Sequence, residues 1–556
     1  TWLLWLLFHS EPTNDLESDI EDQSTAELYR EAKLALETSK DSCHYAICGH
    51  FGSTDVELSV AGTSSGSRPV RYNPQKRPSI ANEHFETTMA QTNLAKQNSP
   101  PLTANTDQKT LRSSDSSIRS GHLNVVQQSI SGIFPQLSDN FRVITLATKL
   151  RLFSESLFYG DATTEKHLYT STERSIGSKK KRLAKKAVVI SLHSFLPTKF
   201  WKLIIGQSTG NALRFATLAL EAIRAWLNEN FTEHGHIQHI SLEGFGTMNS
   251  RVEKSFELLK NWTHQINEAD FVFFVANSIA APTVFLLAQK IMTSETFNFF
   301  HKKIGLMSIA GTNLGPFLGL DTKVVVRAYT QSENEIINEL FELQKPTSAL
   351  SNSVNKAIQS MCARNVKITL VGSVSDQFVP LCSSLHQRIR HPNIFRCLHV
   401  DENSEVPPFI VQLISLVLTM ENMGHGDHNL LWHLLAFIKG AVQVSGPQGI
   451  IHSDPDCYEV GVRFALETTS VRHRRDARES GNYLAMGDAE KSLYHLPWCV
   501  RGVLNDFMNI KNIRNLAFLE SLRNKYLCWE PTTRHWRTVK HCFAAFEDLT
   551  VNDILL

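Results

Sequence analysis

The sequence predicts an α/β protein whose core is a mostly parallel sheet with helices on both faces. Three observations carry this. From residue 187 onward, apolar β-like runs alternate with helix-like stretches. The connections between runs are long enough to hold the crossover helices that parallel strands need. One run, Phe271-Val272-Phe273-Phe274, leads through a tight turn of small residues with Ser278 at its tip into a helix pattern beginning at Pro282. The strands fall at 187–192, 237–242, 271–275, 304–310, 366–371 and 394–400. Between them, 211–228, 250–267 and 282–292 carry apolar residues at three-and-four spacing.

In chain order, residues 1–130 come first and are expected to be mostly disordered. Stretches such as Asn98-Ser99-Pro100-Pro101 and Ser113-Ser114-Asp115-Ser116-Ser117 hold too little apolar surface to offset the entropy of ordering them. A helical patch at 26–38 is the exception. Thr1 in place of an initiator Met suggests a fragment or trimmed gene model, and the apolar start Trp2-Leu3-Leu4-Trp5-Leu6-Leu7-Phe8 is too short to span a bilayer alone. Residues 43–50 include Cys43, His44, Cys48 and His50, but no second matching pair follows at a zinc-binding distance. No metal and no cofactor is expected.

Residues 131–186 read as a collar packed on the core, ending in the basic run Lys179-Lys180-Lys181-Arg182-Leu183-Ala184-Lys185-Lys186. The core domain spans 187–445, with an insertion at about 318–364 placed where a lid would sit. Residues 446–556 read as a helical extension in which Trp498, Trp529 and Trp536 dock helices onto the core or a partner.

Composition narrows the function classes. A formal net charge of +1 gives no electrostatic reason to expect nucleic acid as a partner. Nine cysteines without regular spacing argue against a disulfide framework and for a reducing, cytoplasmic setting. The basic run and the C-terminal helices offer a peripheral contact with a membrane surface or a protein partner. Gly206-Gln207-Ser208-Thr209-Gly210 lacks the lysine and glycine spacing of a phosphate loop.

Ser278 carries the chemistry. A buried strand, a tight turn and a helix form a nucleophile elbow, which holds a serine hydroxyl clear of its backbone, as in α/β-hydrolases. The elbow is usually Gly-x-Ser-x-Gly; here Ala276 and Ala280 fill both glycine positions. Such a site needs Ser, acid and His in that chain order. Asp376, in a polar turn after the strand 366–371, is the acid candidate, with a turn or cap role as its ordinary alternative. His428, in Gly424-His425-Gly426-Asp427-His428-Asn429, is the preferred base, followed by His425 and then His452. The oxyanion hole takes the amide of Ile279 and that of Ser194 or Phe195. Residues 407–414 read as an inserted helix lining an acyl pocket.

The blocks 141–152, 165–169, 193–197, 206–216, 269–282, 310–317, 372–384 and Asp427-His428 resemble those of a fungal family of α/β-hydrolase-like proteins, over roughly 134–549. That family carries His-Ser-Gln-Gly at the elbow and His-Gly-Phe-Phe-Pro in the oxyanion loop. This chain has Asn277-Ser278-Ile279-Ala280 and His193-Ser194-Phe195-Leu196-Pro197. The resemblance implies the α/β-hydrolase fold with serine, acid and histidine positions kept. Two readings follow: a serine hydrolase (esterase- or lipase-like) acting on an apolar, lipid-like acyl ester, or a catalytically impaired scaffold of the same fold that binds a membrane surface or protein partner.

Overall fold

The computed structural model describes residues 47–53, 58–63, 131–140, 154, 186–194, 212–230, 236–316, 331–441, 451–468, 478–479, 493–509 and 514–548, with single breaks at 245, 301, 377, 403 and 405. Among them nine strands form one sheet. They are β1 (Ile47–Ser53), β2 (Leu58–Thr63), β3 (Gly132–Phe134), β4 (Lys186–Ser194), β5 (His236–Gly244), β6 (Phe271–Asn277), β7 (Lys303–Ile309), β8 (Lys367–Ser373) and β9 (Ile394–Val400). The order is β2-β1-β5-β4-β6-β7-β8-β9-β3. The six strands from β5 to β9 run parallel, as the alternating pattern requires. Antiparallel strands close both edges, β1 on β5 and β3 on β9.

The edge strands β1 and β2 add ordered elements to the N-terminal region. They lie inside the 1–130 region read as mostly disordered, yet β1 pairs with β5 from Ile47↔Gly244 to Ser53↔Gln238. Backbone pairing holds them, and a sequence such as Ile47-Cys48-Gly49-His50-Phe51-Gly52-Ser53 carries little hydrophobic signal of it. Cys48 and His50 lie on β1; Cys43 and His44 lie outside the described residues, as do 26–38, 141–153, the basic run up to 185, 195–211 and 472–475.

Helices cover the two faces. On one, α1 (Ala212–Asn230) packs against α8 (Pro455–Glu467). On the other, α3 (Ala281–Thr293) packs between α2 (Met248–Leu259) and α5 (Ala349–Ala363). Local chemistry starts these helices. Ser348 and Asp454 cap α5 and α8 with their side-chain oxygens, and Pro455 stands in the first turn of α8, where no amide hydrogen is needed. The central strand β6 is buried along its whole length. The ring of Phe273 lies over Gly305 of β7, where a Cβ would sit 2.7 Å from that ring and 2.8 Å from Ala465 of α8. Glycine at 305 thus lets α8 approach the sheet.

The stretch expected to be a lid holds α4 (Gln331–Glu342) and α5. Since α5 joins parallel β7 to β8 and packs on α3, it is the crossover helix of the core. Glu339 of α4 accepts the Met248 amide at 2.8 Å, fastening α4 over the start of α2.

After β9 come α6 (Pro408–Asn422) and α7 (Leu430–Ala441), and the chain ends in α9 (Leu496–Asn509), α10 (Arg514–Leu527) and α11 (Arg534–Cys542). The helix expected to line an acyl pocket is instead the dock for this extension. Phe409 of α6 is fully buried among Tyr526, Trp529, Phe543 and Phe546, with ring centroids 5.2–5.8 Å away. Trp529 and Trp536 are buried in this contact, whereas Trp498 is 69% exposed. Beneath α6, the fully buried Arg396 of β9 donates to the carbonyls of Leu385, His386 and Ile389 and stands 3.8 Å from Glu421. Burial pushes the Glu421 carboxyl up to about 7, with Arg396 opposing. Cys362, Cys382, Cys397, Cys457, Cys499, Cys528 and Cys542 are free thiols. Among the described residues no helix is long and apolar enough to cross a membrane.

Candidate active site

β6 ends at Asn277, and Ser278 follows with φ 51°, in the left-handed region that a residue with a Cβ enters only at a cost. The short turn Ser278–Ala280 then runs into α3. Strain at a serine between a central strand and a helix is the backbone signature of an elbow. Ala276 and Ala280, in the places usually held by glycine, are both fully buried, and the turn keeps its left-handed serine with these methyls in place. The facing loop is what leaves room: at Gly311, two residues past β7, a Cβ would lie 2.6 Å from that of Ala281.

Two contacts hold the turn. The Thr312 amide donates to the Ser278 carbonyl at 3.1 Å, and Arg251 Nη2 donates to the Ile279 carbonyl at 3.4 Å. Burial lowers the Arg251 pKa to about 10, with Glu339 opposing, so the guanidinium keeps its charge at neutral pH.

The register of β4 on β6 sets the other wall. Leu192 pairs with Ala276, so His193 and Ser194 reach the carboxyl edge of the sheet at the height of Asn277 and Ser278. Ser194 is buried, and its hydroxyl makes no hydrogen bond among the described residues. The space it shares with Glu243, Arg251, Ser255 and Thr283 is about 10 Å³, room for about one water. Ile279, the other expected oxyanion residue, is buried in the first turn after Ser278; Phe195 lies outside the described residues.

His193 and Glu243 were not singled out from the sequence, though Glu243 ends a strand pattern with an acid. Its Oε1 accepts the Ala212 amide at the start of α1 at 2.7 Å, and its Oε2 lies 3.5 Å from His193 Nδ1. A buried carboxylate at a helix N-terminus is favourably placed.

The three candidate bases go to different places. His428 turns to the C-terminal extension: its Nε2 lies 2.9 Å from Asp506 Oδ2 of α9, and its ring lies so close to Gly502 that a Cβ there would be 2.6 Å from Nδ1. It is 41% exposed and makes no hydrogen bond to Ser278 or Asp376. The His425 amide closes the end of α6 by donating to the Met420 carbonyl at 2.9 Å. His452 lies in the turn before α8, the helix that returns onto α1 beside β7 and β8. Its ring meets Phe215 of α1 edge-on at 6.1 Å, and Phe215 meets His193 at 5.9 Å. The third choice from the sequence is therefore the one placed beside the carboxyl end of β4. Burial, with Arg214 and His193 nearby, lowers its pKa to about 4.

Asp376 stands three residues past β8 and is partly buried. Its Oδ1 accepts the amides of Phe378 and Val379 at 2.8 and 2.9 Å, so one carboxylate oxygen shapes the turn that leads to the short helix Leu381–Ser384. The structural role weighed from the sequence is thus filled by that oxygen.

No curated protein and no solved structure gives a significant match to this chain. A family model, the YMC0/YMC35 alpha/beta hydrolase domain, matches residues 134–507. That span covers more than half of the chain and takes in every strand from β4 to β9, the elbow and most of the docked helix α9. With the parallel sheet and the left-handed serine at its centre, the match establishes that the chain belongs to the YMC0/YMC35 alpha/beta hydrolase family.

Proposed function

We propose that this protein is a serine hydrolase of carboxylic esters, with Ser278 as nucleophile, Asp376 as the candidate acid and His452 as base, in the chain order that the fold uses. The observation that carries the reading is the φ of 51° at Ser278, held between a fully buried strand and a helix although Ala276 and Ala280 stand two residues to either side. A strained residue of this kind persists only where its surroundings over-determine it. In the proposed step the Ser278 hydroxyl attacks the ester carbonyl and passes its proton to His452, which returns it to the leaving alcohol. The amide of Ile279 and one from the end of β4, at Ser194 or Phe195, receive the oxyanion. The apolar, lipid-like acyl group read from the sequence no longer rests on Phe409, which belongs to the dock. It stands as the choice that a chain-length series of nitrophenyl esters tests. The expected result is turnover that rises with acyl length and is abolished in Ser278→Ala; turnover unchanged by Ser278→Ala would overturn the reading.

A second reading has its own observation. Ser194 takes the place of the usual oxyanion-loop glycine, and its side chain leaves about 10 Å³ beside it. In that reading turnover is lost and the fold serves as a cytoplasmic scaffold, meeting a membrane surface or a protein through the basic run and the docked helices. A well-folded protein that hydrolyses no ester in the series, and does so after Ser194→Gly, would favour it.

A further inference from the structure

We propose that His399, Asp454 and Cys457 form a binding site for a zinc-type divalent cation, with Asp401 supporting the histidine from behind. One ligand atom from each of the three lies within 4.8 Å of the others. His399 sits near the end of β9 and is 5% exposed; Cys457 is fully buried in the first turn of α8. Asp454 and Cys457 are three apart at a helix start and so share one face.

The carboxylate of Asp454 is divided between two tasks. Its Oδ1 accepts the Asp456 amide at 3.0 Å and caps α8, which leaves Oδ2 facing His399 Nε2 at 2.8 Å. The simplest account is a capping aspartate hydrogen-bonded to a strand histidine. It leaves the buried His399 Nδ1 without a hydrogen bond, 3.6 Å from Asp401 Oδ1. The His399 ring thus lies between two carboxylates, with Asp454 at Nε2 and Asp401 at Nδ1.

A cation bound at Nε2 takes the place of the His399–Asp454 hydrogen bond. The single imidazole proton then rests on Nδ1 and points at Asp401, the arrangement by which carboxylates hold metal-ligating histidines. Nitrogen, oxygen and sulfur donors together suit zinc rather than magnesium or calcium. Tetrahedral zinc with bonds of about 2.0–2.3 Å sets its ligand atoms roughly 3.3–3.8 Å apart, so the His399–Asp454 contact opens by about half an ångström on binding. Asp454 is 25% exposed, which leaves a way in for the ion and a position for a water ligand. A cysteine ligates zinc as its thiolate, so binding displaces the thiol proton. The ion would clamp the end of β9 to the start of α8, two residues from His452, as a structural support. This proposal does not depend on whether Ser278 reacts.

The test is titration of chelator-treated full-length protein with zinc and with cobalt(II), read by metal content, thermal unfolding and the thiolate-to-cobalt absorption band. One equivalent is expected, with a raised unfolding temperature and a thiolate band. Cys457→Ser should remove the band, and the milder Asp401→Asn should weaken affinity about 10–100-fold. Cys528→Ser, at an exposed thiol, should change nothing. Folded wild-type protein that binds no stoichiometric metal, or binding untouched by Cys457→Ser and Asp401→Asn, would overturn the assignment.

Discussion

His428 Nε2 and Asp506 Oδ2 lie 2.9 Å apart, and this pair joins the loop between α6 and α7 to helix α9. The histidine preferred as a base from chain order is thereby engaged with the C-terminal extension. Both side chains are about a third or more exposed, so the pair contributes little to stability, about 0.2–1 kcal/mol. His428→Ala and Asp506→Asn are each expected to shift the chemical denaturation midpoint slightly, with a small coupling in the double variant, and to leave ester turnover within about twofold. A loss of turnover in His428→Ala at unchanged stability would return the base role to His428.

The extension is held mainly by the aromatic cluster around Phe409. Phe409→Ala removes a fully buried ring from contact with four others and should cost about 3–5 kcal/mol. Limited proteolysis of that variant is expected to cut first between α9 and α11. Protection equal to the wild type would show that the helices are docked by other contacts.

His452 must be neutral to accept the serine proton. Its lowered pKa of about 4, against an ordinary 6.5, keeps it neutral throughout the physiological range. The acid limb of kcat/KM is therefore expected near pH 4, with activity falling as pH drops through that value. A limb near 6.5 that moves on substitution of His428 would contradict the assignment.

Glu421 makes stability depend on pH in a defined direction. Its carboxyl is raised by burial from 4.5 to about 7, so in this window the folded state holds a proton that the unfolded chain releases. The contribution is fully present below about 4.5 and is lost as pH rises through about 7. Glu421→Gln, which keeps the shape and the neutral state, should flatten that slope. A slope unchanged in Glu421→Gln would place its origin elsewhere.

The parallel core was legible because β4 to β9 are apolar runs separated by amphipathic helices, and the elbow because Ser278 interrupts such a pattern with small residues. Other features carried weaker signals. β1 and β2 are joined to the sheet by backbone hydrogen bonds that side-chain patterning does not encode. α5 shows the same amphipathic pattern whether it is a lid or a crossover, and only its packing on α3 distinguishes them. Chain order favoured His428, nearer the last strand. What brings His452 to the sheet edge is the packing of α8 on α1, beyond the two helices that intervene after β9. Likewise His399, Asp454 and Cys457 converge across 58 residues, with no spacing that marks a site.

The most direct measurement is fluorophosphonate labelling of the purified protein, comparing wild type with Ser278→Ala, His452→Ala and His428→Ala. The expected outcome is labelling that disappears in Ser278→Ala, falls at least about 100-fold in rate in His452→Ala, as loss of a general base does, and persists in His428→Ala. Well-folded wild-type protein that takes no label, or label that survives Ser278→Ala, would contradict the assignment of Ser278 as an activated nucleophile.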